Sequence, residues 1–212
     1  MTERRTTEDL IRQLAASPAP LPFHPGAAVG GMLVMLALGL GLFLLVFGLR
    51  ADLAAAWAHV PVQAKTILPV LLSLFAILLA LRSSVPGGRV ALWPLTLPVA
   101  LAGLLVVHRL AVADASLLAE AIGQTALACL VSITLLALLP LAAGIFFLRR
   151  TAPTQPVLTG ALLGLAAGAG VAAGYALHCT EDSPLFFVLW YGLGIGAVGG
   201  IGAALGHRFL RW

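Results

Sequence analysis

Six long apolar runs, separated by short segments that collect most of the polar residues, set the pattern of this chain. A hydrocarbon layer about 30 Å thick takes roughly 20 residues of α-helix to cross. The runs predict spanning helices over 27–49, 66–81, 90–107, 126–148, 157–177 and 185–206. The chain therefore reads as an all-α integral membrane protein in three parts: a segment over 1–26, a six-helix transmembrane domain over 27–206, and a stub over 207–212. The first run is too long for the apolar region of a cleaved signal and has no small-residue cleavage site after it. Pro153 and Pro156 keep the fourth and fifth helices from fusing into one.

Composition agrees with that pattern. With 61% hydrophobic and 9% charged residues and a mean hydropathy of +1.06, the chain is solvated chiefly by lipid. The few cations are placed asymmetrically. The odd-numbered connecting segments hold Arg4, Arg5, Arg12, Arg82, Arg89, Arg149, Arg150, Arg208 and Arg211, whereas the even-numbered ones hold Arg50, Lys65 and Arg109. Juxtamembrane Lys and Arg resist translocation, so both termini are expected in the cytoplasm. The net charge of +4 comes from arginines dispersed over helix ends, not gathered into a stripe, and implies no direct nucleic-acid contact.

Ionisable groups are nearly absent from the predicted helix interiors, where pumps and ion carriers keep them. A small transporter or metal-handling permease stays as the alternative to a signalling role. No nucleophile–base pair or pair of carboxylates falls at one membrane depth, which argues against an enzyme. Gly160, Gly164 and Gly168, then Gly192, Gly196 and Gly200, and Gly202 with Gly206, form small-residue ridges on the last two helices. Such ridges let backbones approach closely. Packing within one bundle is expected ahead of a dimer interface; the oligomeric state stays open.

The chain has two cysteines, and helix rise places both. Cys129 lies about 30 Å along the helix axis from Arg149, which marks the cytoplasmic end of the fourth helix; Cys179 lies about 33 Å beyond Val157. The short connection makes these helices antiparallel neighbours, so the two thiols converge on the outer rim. A disulfide is permitted there. Cys129, Cys179 and His178 are equally a candidate donor set for a soft or borderline metal such as Cu, Zn or Cd, with Glu181 beside them. Neither pattern requires a resident cofactor.

Ahead of the first run, Thr6 to Ala16 predicts a short helix with a Thr6–Asp9 capping box. Leu10, Ile11 and Leu14 form an apolar stripe, flanked by Asp9 and Arg12. A helix this short is marginal alone in water. The Pro-rich stretch Ser17–Pro22 holds it off the bilayer, which favours a protein partner for the stripe.

Several stretches together resemble the NrsF family of membrane anti-sigma factors: Asp9-Leu10-Ile11-x-x-Leu14-Ala15, Lys65 entering the second span, Ala152-Pro153-x-x-Pro156, Tyr175-x-Leu177-His178-Cys179-x-Glu181-x-Ser183, Trp190, and Leu210-Arg211-Trp212. Thr180 stands where the family usually has proline. The resemblance implies a six-helix protein of the bacterial inner membrane that sequesters an extracytoplasmic-function sigma factor and releases it on stress. It further implies that Cys129 and Cys179 are needed for the response. On that reading Leu10, Ile11 and Leu14 dock the sigma factor, Asp9 and Arg12 orient it, and Cys129, Cys179, His178 and Glu181 form the sensor.

Overall fold

A computed structural model describes residues 6–16, 24–85, 87–88, 90–112 and 116–211, the side chain of Leu14 excepted. Arg4, Arg5, the Pro-rich stretch 17–22, Arg89 and Trp212 lie outside the described residues. The helices are α1 (Thr7–Ala16), α2 (Pro25–Phe47), α3 (Leu53–Ala56), α4 (Val60–Ser83), α5 (Thr96–Ala111), α6 (Leu117–Ile122), α7 (Ala126–Leu148), α8 (Pro156–Tyr175) and α9 (Pro184–Phe209), with a 3-10 turn over Trp93–Leu95 leading into α5. Among the described residues there is no strand, and six helical stretches are long and apolar enough to cross a membrane: Pro25–Phe47, Val60–Ser83, Trp93–Ala111, Leu117–Leu148, Pro156–Tyr175 and Pro184–Phe209. The expected all-α fold of six spanning helices is the fold found.

Proline opens several of these helices, because its missing N–H has no partner in a first turn anyway. Pro25, Pro156 and Pro184 each stand at such a start. Ser183 caps α9, its side chain accepting from the Leu185 N–H at 3.3 Å. Two spans depart from the sequence reading by more than a few residues: the stretch Leu117–Leu148 opens ahead of 126 with the short α6, and α4 begins at Val60 and not near 66. Lys65 therefore belongs to the helix and not to a connecting segment. Its ammonium finds acceptors on a neighbouring segment, so a charge that hydropathy assigns to a loop is carried inside the helix.

The most buried span is α8, whereas α5 is the least. The central helix packs against α9, α4 and α7, and α2 lies on α7. Small residues explain the closest of these contacts. A methyl group added at Gly164 would lie 2.9 Å from the Gly199 Cα, and one at Gly206 would lie 2.9 Å from the Gly160 Cα. The second ridge behaves differently: Gly192, Gly196 and Gly200 have nothing within 4 Å of such a methyl. At 3.6 residues per turn, Gly200 and Gly202 point about 200° apart. Thus Gly199, Gly202 and Gly206 make the α8–α9 seam, and the expectation that all the ridges pack inside the bundle fails for 192, 196 and 200.

Two hydrogen bonds tie α4 to α8 along their length: Ser73 Oγ donates to the Ala166 carbonyl at 2.8 Å, and Ser83 and Thr159 share a hydroxyl pair at 2.9 Å. Around Ser83 and Thr159 gather the start of α8 and the ends of α4 and α9. At the other end of the bundle the α2–α3 turn, the start of α4, the start of α7 and the segment between α8 and α9 come together. Both cysteines lie there.

Candidate functional site

The path of the chain past α8 builds this end of the molecule. Beyond Tyr175 the backbone continues one further turn, with the His178 and Cys179 N–H groups both donating to the Tyr175 carbonyl at 2.9 and 3.1 Å. Cys179 thus hangs just past the helix end. Cys129 sits in the first turn of α7, its N–H donating to the Thr125 carbonyl at 2.9 Å. The two sulfurs are 3.8 Å apart. Cys129 is 0% and Cys179 4% exposed, and both are free thiols. A disulfide is about 2.05 Å long, so the pair lies in nonbonded contact, one short displacement from a bond. Thr125 Oγ1 lies 3.7 Å from the Cys129 sulfur on the other side.

Behind Cys179 lies a group that the sequence reading did not assemble. Lys65, 0% exposed, donates from Nζ to the Cys179 carbonyl at 2.7 Å, the Glu181 carbonyl at 3.2 Å and Asp182 Oδ1 at 2.5 Å. An ammonium has three donors, and all three are used. Arg50, 7% exposed, donates to both Asp182 oxygens at 2.7 and 3.0 Å, to Asp52 at 2.8 and 2.9 Å, and to the Cys179 carbonyl at 3.3 Å. Two buried cations thus meet two carboxylates that reach the surface, Asp182 with 34% and Asp52 with 59% of its side chain exposed, and the charges balance. Such balance is required, because an uncompensated buried charge is strongly unfavourable. Burial alone would raise the Asp182 carboxyl, but its bonds to Arg50 and Lys65 outweigh that and hold it below the usual range. The facing Cys129 thiol, with the Lys65 ammonium behind, holds the Cys179 thiol below its usual range against the opposing effect of burial.

The other expected sensor residues are placed as follows. His178 Nδ1 lies 2.9 Å from the Gly48 carbonyl and so carries the proton, while its ring packs edge-on against Phe43, Phe47 and Tyr175. Glu181 Oε1 accepts from the Gln124 N–H at 2.9 Å, across a turn at Gly123 whose φ of +57° suits glycine. Among the described residues, no group of three or more His, Cys, Asp and Glu side chains is placed to hold a metal ion. The structure joins Cys129 to Cys179, and uses His178 and Glu181 to fasten the flanking turns. Trp190 does similar work, donating from Nε1 to the Ala121 carbonyl at 2.8 Å.

At the N-terminal helix, the expected capping box is present. Thr6 Oγ1 donates to Asp9 Oδ2 at 2.6 Å, and the Asp9 N–H donates back to Thr6 Oγ1 at 3.3 Å. Leu10 and Ile11 are 49% and 59% exposed, Asp9 and Arg12 are exposed beside them, and the side chain of Leu14 lies outside the described residues.

The family model described as "Negative regulator of sigma F", NrsF, matches residues 14–212. The chain is 36% identical to the anti-sigma-F factor NrsF of Caulobacter vibrioides, over 97% of this chain and 99% of that one. It is 31% identical to the probable anti-sigma-F factor NrsF of Azospira oryzae, with the same shares covered. No solved structure matches.

Proposed function

This chain belongs to the NrsF family of negative regulators of sigma F, and on that premise we propose that it is an inner-membrane anti-sigma factor with both termini in the cytoplasm. Its partner is a sigma factor of the extracytoplasmic-function class, docked on Leu10, Ile11 and Leu14 with Asp9 and Arg12 orienting it. Its signal is the state of the Cys129–Cys179 pair. The reduced protein holds the sigma factor; it is released when an external two-electron oxidant such as a peroxide takes the electron pair and both thiol protons and leaves a disulfide, or when the two thiols lose their protons to bind a soft metal.

The observation that carries this reading is the 3.8 Å contact of the chain's two thiols at one end of the bundle. With it goes an apolar stripe left open on a capped helix. The distribution of arginines supports a cytoplasmic α1, with the thiols on the oxidising side. No catalytic step is needed, since a regulator of this kind acts by binding. The test is co-purification in detergent under reducing conditions with the cognate sigma factor. The full chain is expected to retain it, and a variant with Leu10, Ile11 and Leu14 all changed to Ser is expected to lose it. Retention by that variant would move the docking site to the connections around Arg82 and Arg149.

A further inference from the structure

Release demands that a change at the thiols reach the far end of the bundle. Closing 3.8 Å to a bond of about 2.05 Å draws the sulfurs together by roughly 1.8 Å. Cys129 lies inside the first turn of α7, whereas Cys179 ends the turn that follows α8: its N–H still reaches the Tyr175 carbonyl, but its own carbonyl is taken by Lys65 and Arg50 and not by a helix. The segment therefore moves only with the side chains that hold it. Its carbonyls at Cys179 and Glu181 and its Asp182 carboxylate are gripped by one side chain, Lys65. Lys65 belongs to α4, and α4 runs the length of the bundle to the Ser83–Thr159 pair at the opposite end.

We propose that Lys65 is the positioning residue that couples the thiols to the bundle: it makes the Cys179 segment and α4 move as one piece. An apolar residue would satisfy a lipid-facing or core position at less cost than an enclosed ammonium. The chain has one lysine, and it stands where all three of its donors meet the segment that carries Cys179. Its three bonds all end on that one segment, so movement of the segment must either carry the ammonium with it or break hydrogen bonds whose lengths span only about 0.5 Å. Arg50 fastens the same segment to the α2–α3 turn. Lys65 fastens it to a spanning helix.

This inference rests on the proposed thiol-controlled release, and its test separates the two. Lys65→Met and Lys65→Arg are purified as full chains with the sigma factor bound, then treated with diamide, and both the Cys129–Cys179 disulfide and the released sigma factor are measured. Lys65→Met is expected to bind the sigma factor and form the disulfide but to lose the drop in sigma-factor affinity that oxidation causes in the wild type, a factor of about 5–150 for a typical coupling between sites. Lys65→Arg, which keeps a buried cation and donors, is expected to restore part of the release. Normal release by oxidised Lys65→Met overturns the coupling role, and so does failure of that variant to form the disulfide, which would make Lys65 a device for placing the thiols. Oxidised wild type that keeps its sigma factor overturns the proposed function and not the role of Lys65 in particular. Should Lys65→Met not fold, the double variant Lys65→Met with Asp182→Asn removes one charge of each sign and leaves Arg50 paired with Asp52; the same two readouts then decide.

Discussion

At the cysteine end of the bundle, Lys65 and Arg50 are enclosed with Asp182 and two thiols, and their donors are matched to acceptors within the chain. On α1, by contrast, Leu10 and Ile11 lie about half exposed on a helix whose own polar cap is complete. The first region pairs its buried cations within the chain, whereas α1 leaves Leu10 and Ile11 open. On the proposed function, the difference teaches how the chain divides its work. A region that changes state gains from partners inside the chain, so that a small displacement is felt by neighbours. A region that captures another protein gains from a face whose best partner is another molecule.

That contrast is broken first by unbalancing the closed end. Asp182→Ala leaves the Lys65 ammonium and half of the Arg50 guanidinium without their shared carboxylate, and removal of one member of a buried pair costs about 3–5 kcal/mol. Thermal unfolding in detergent should show this loss, whereas the triple Ser variant of α1 should unfold at the wild-type temperature. Acid sharpens the same point. The folded state holds the Asp182 carboxyl below its ordinary value of 3.8. Its contribution is therefore fully present above that value and is lost as the pH falls through the depressed folded value. The gap between wild type and Asp182→Ala should be constant from neutral pH down to about that point and narrow only below it. A gap that closes between pH 7 and 5 would contradict the ion pair.

A smaller effect separates the two glycine ridges that lie between the ends. Gly164→Ala drives a methyl into the α9 backbone at Val198 and Gly199, and overpacking of this kind costs about 1–3 kcal/mol. Gly196→Ala meets open space and, with the entropy cost of a mid-helix glycine removed, should raise stability by about 0.5–1 kcal/mol. Differential unfolding of the two variants measures the seam directly. Equal losses would mean that residue 196 has a partner in the membrane, such as a second copy of the chain.

Much of this arrangement is legible in the sequence. Run length and hydropathy locate the spans to within a few residues for four of the six, because lipid imposes that length on any helix that crosses it. Helix rise alone put Cys129 and Cys179 at one level, and the structure brings them into contact. The thiol pair could be found because depth is a one-dimensional quantity. The Lys65–Asp182 and Arg50–Asp182 pairs join residues more than a hundred positions apart, and no periodicity encodes them. One signal was available: the chain's single lysine stands at the edge of an apolar run, and ionisable groups at such depth usually carry function. His178 shows the reverse case. Adjacency to Cys179 suggested a shared ligand set, but the turn after α8 aims its Nδ1 at Gly48. Sequence proximity says little about direction once a helix has ended.

The central claim, that the thiol pair at one end governs sigma-factor capture at the other, is tested most directly by release from the reduced complex after oxidation, with Cys129→Ser and Cys179→Ser beside the wild type. Wild type should form the disulfide and release the sigma factor together, and each single variant should capture it normally and hold it under the same treatment. Release that proceeds unchanged in both single variants would contradict the account.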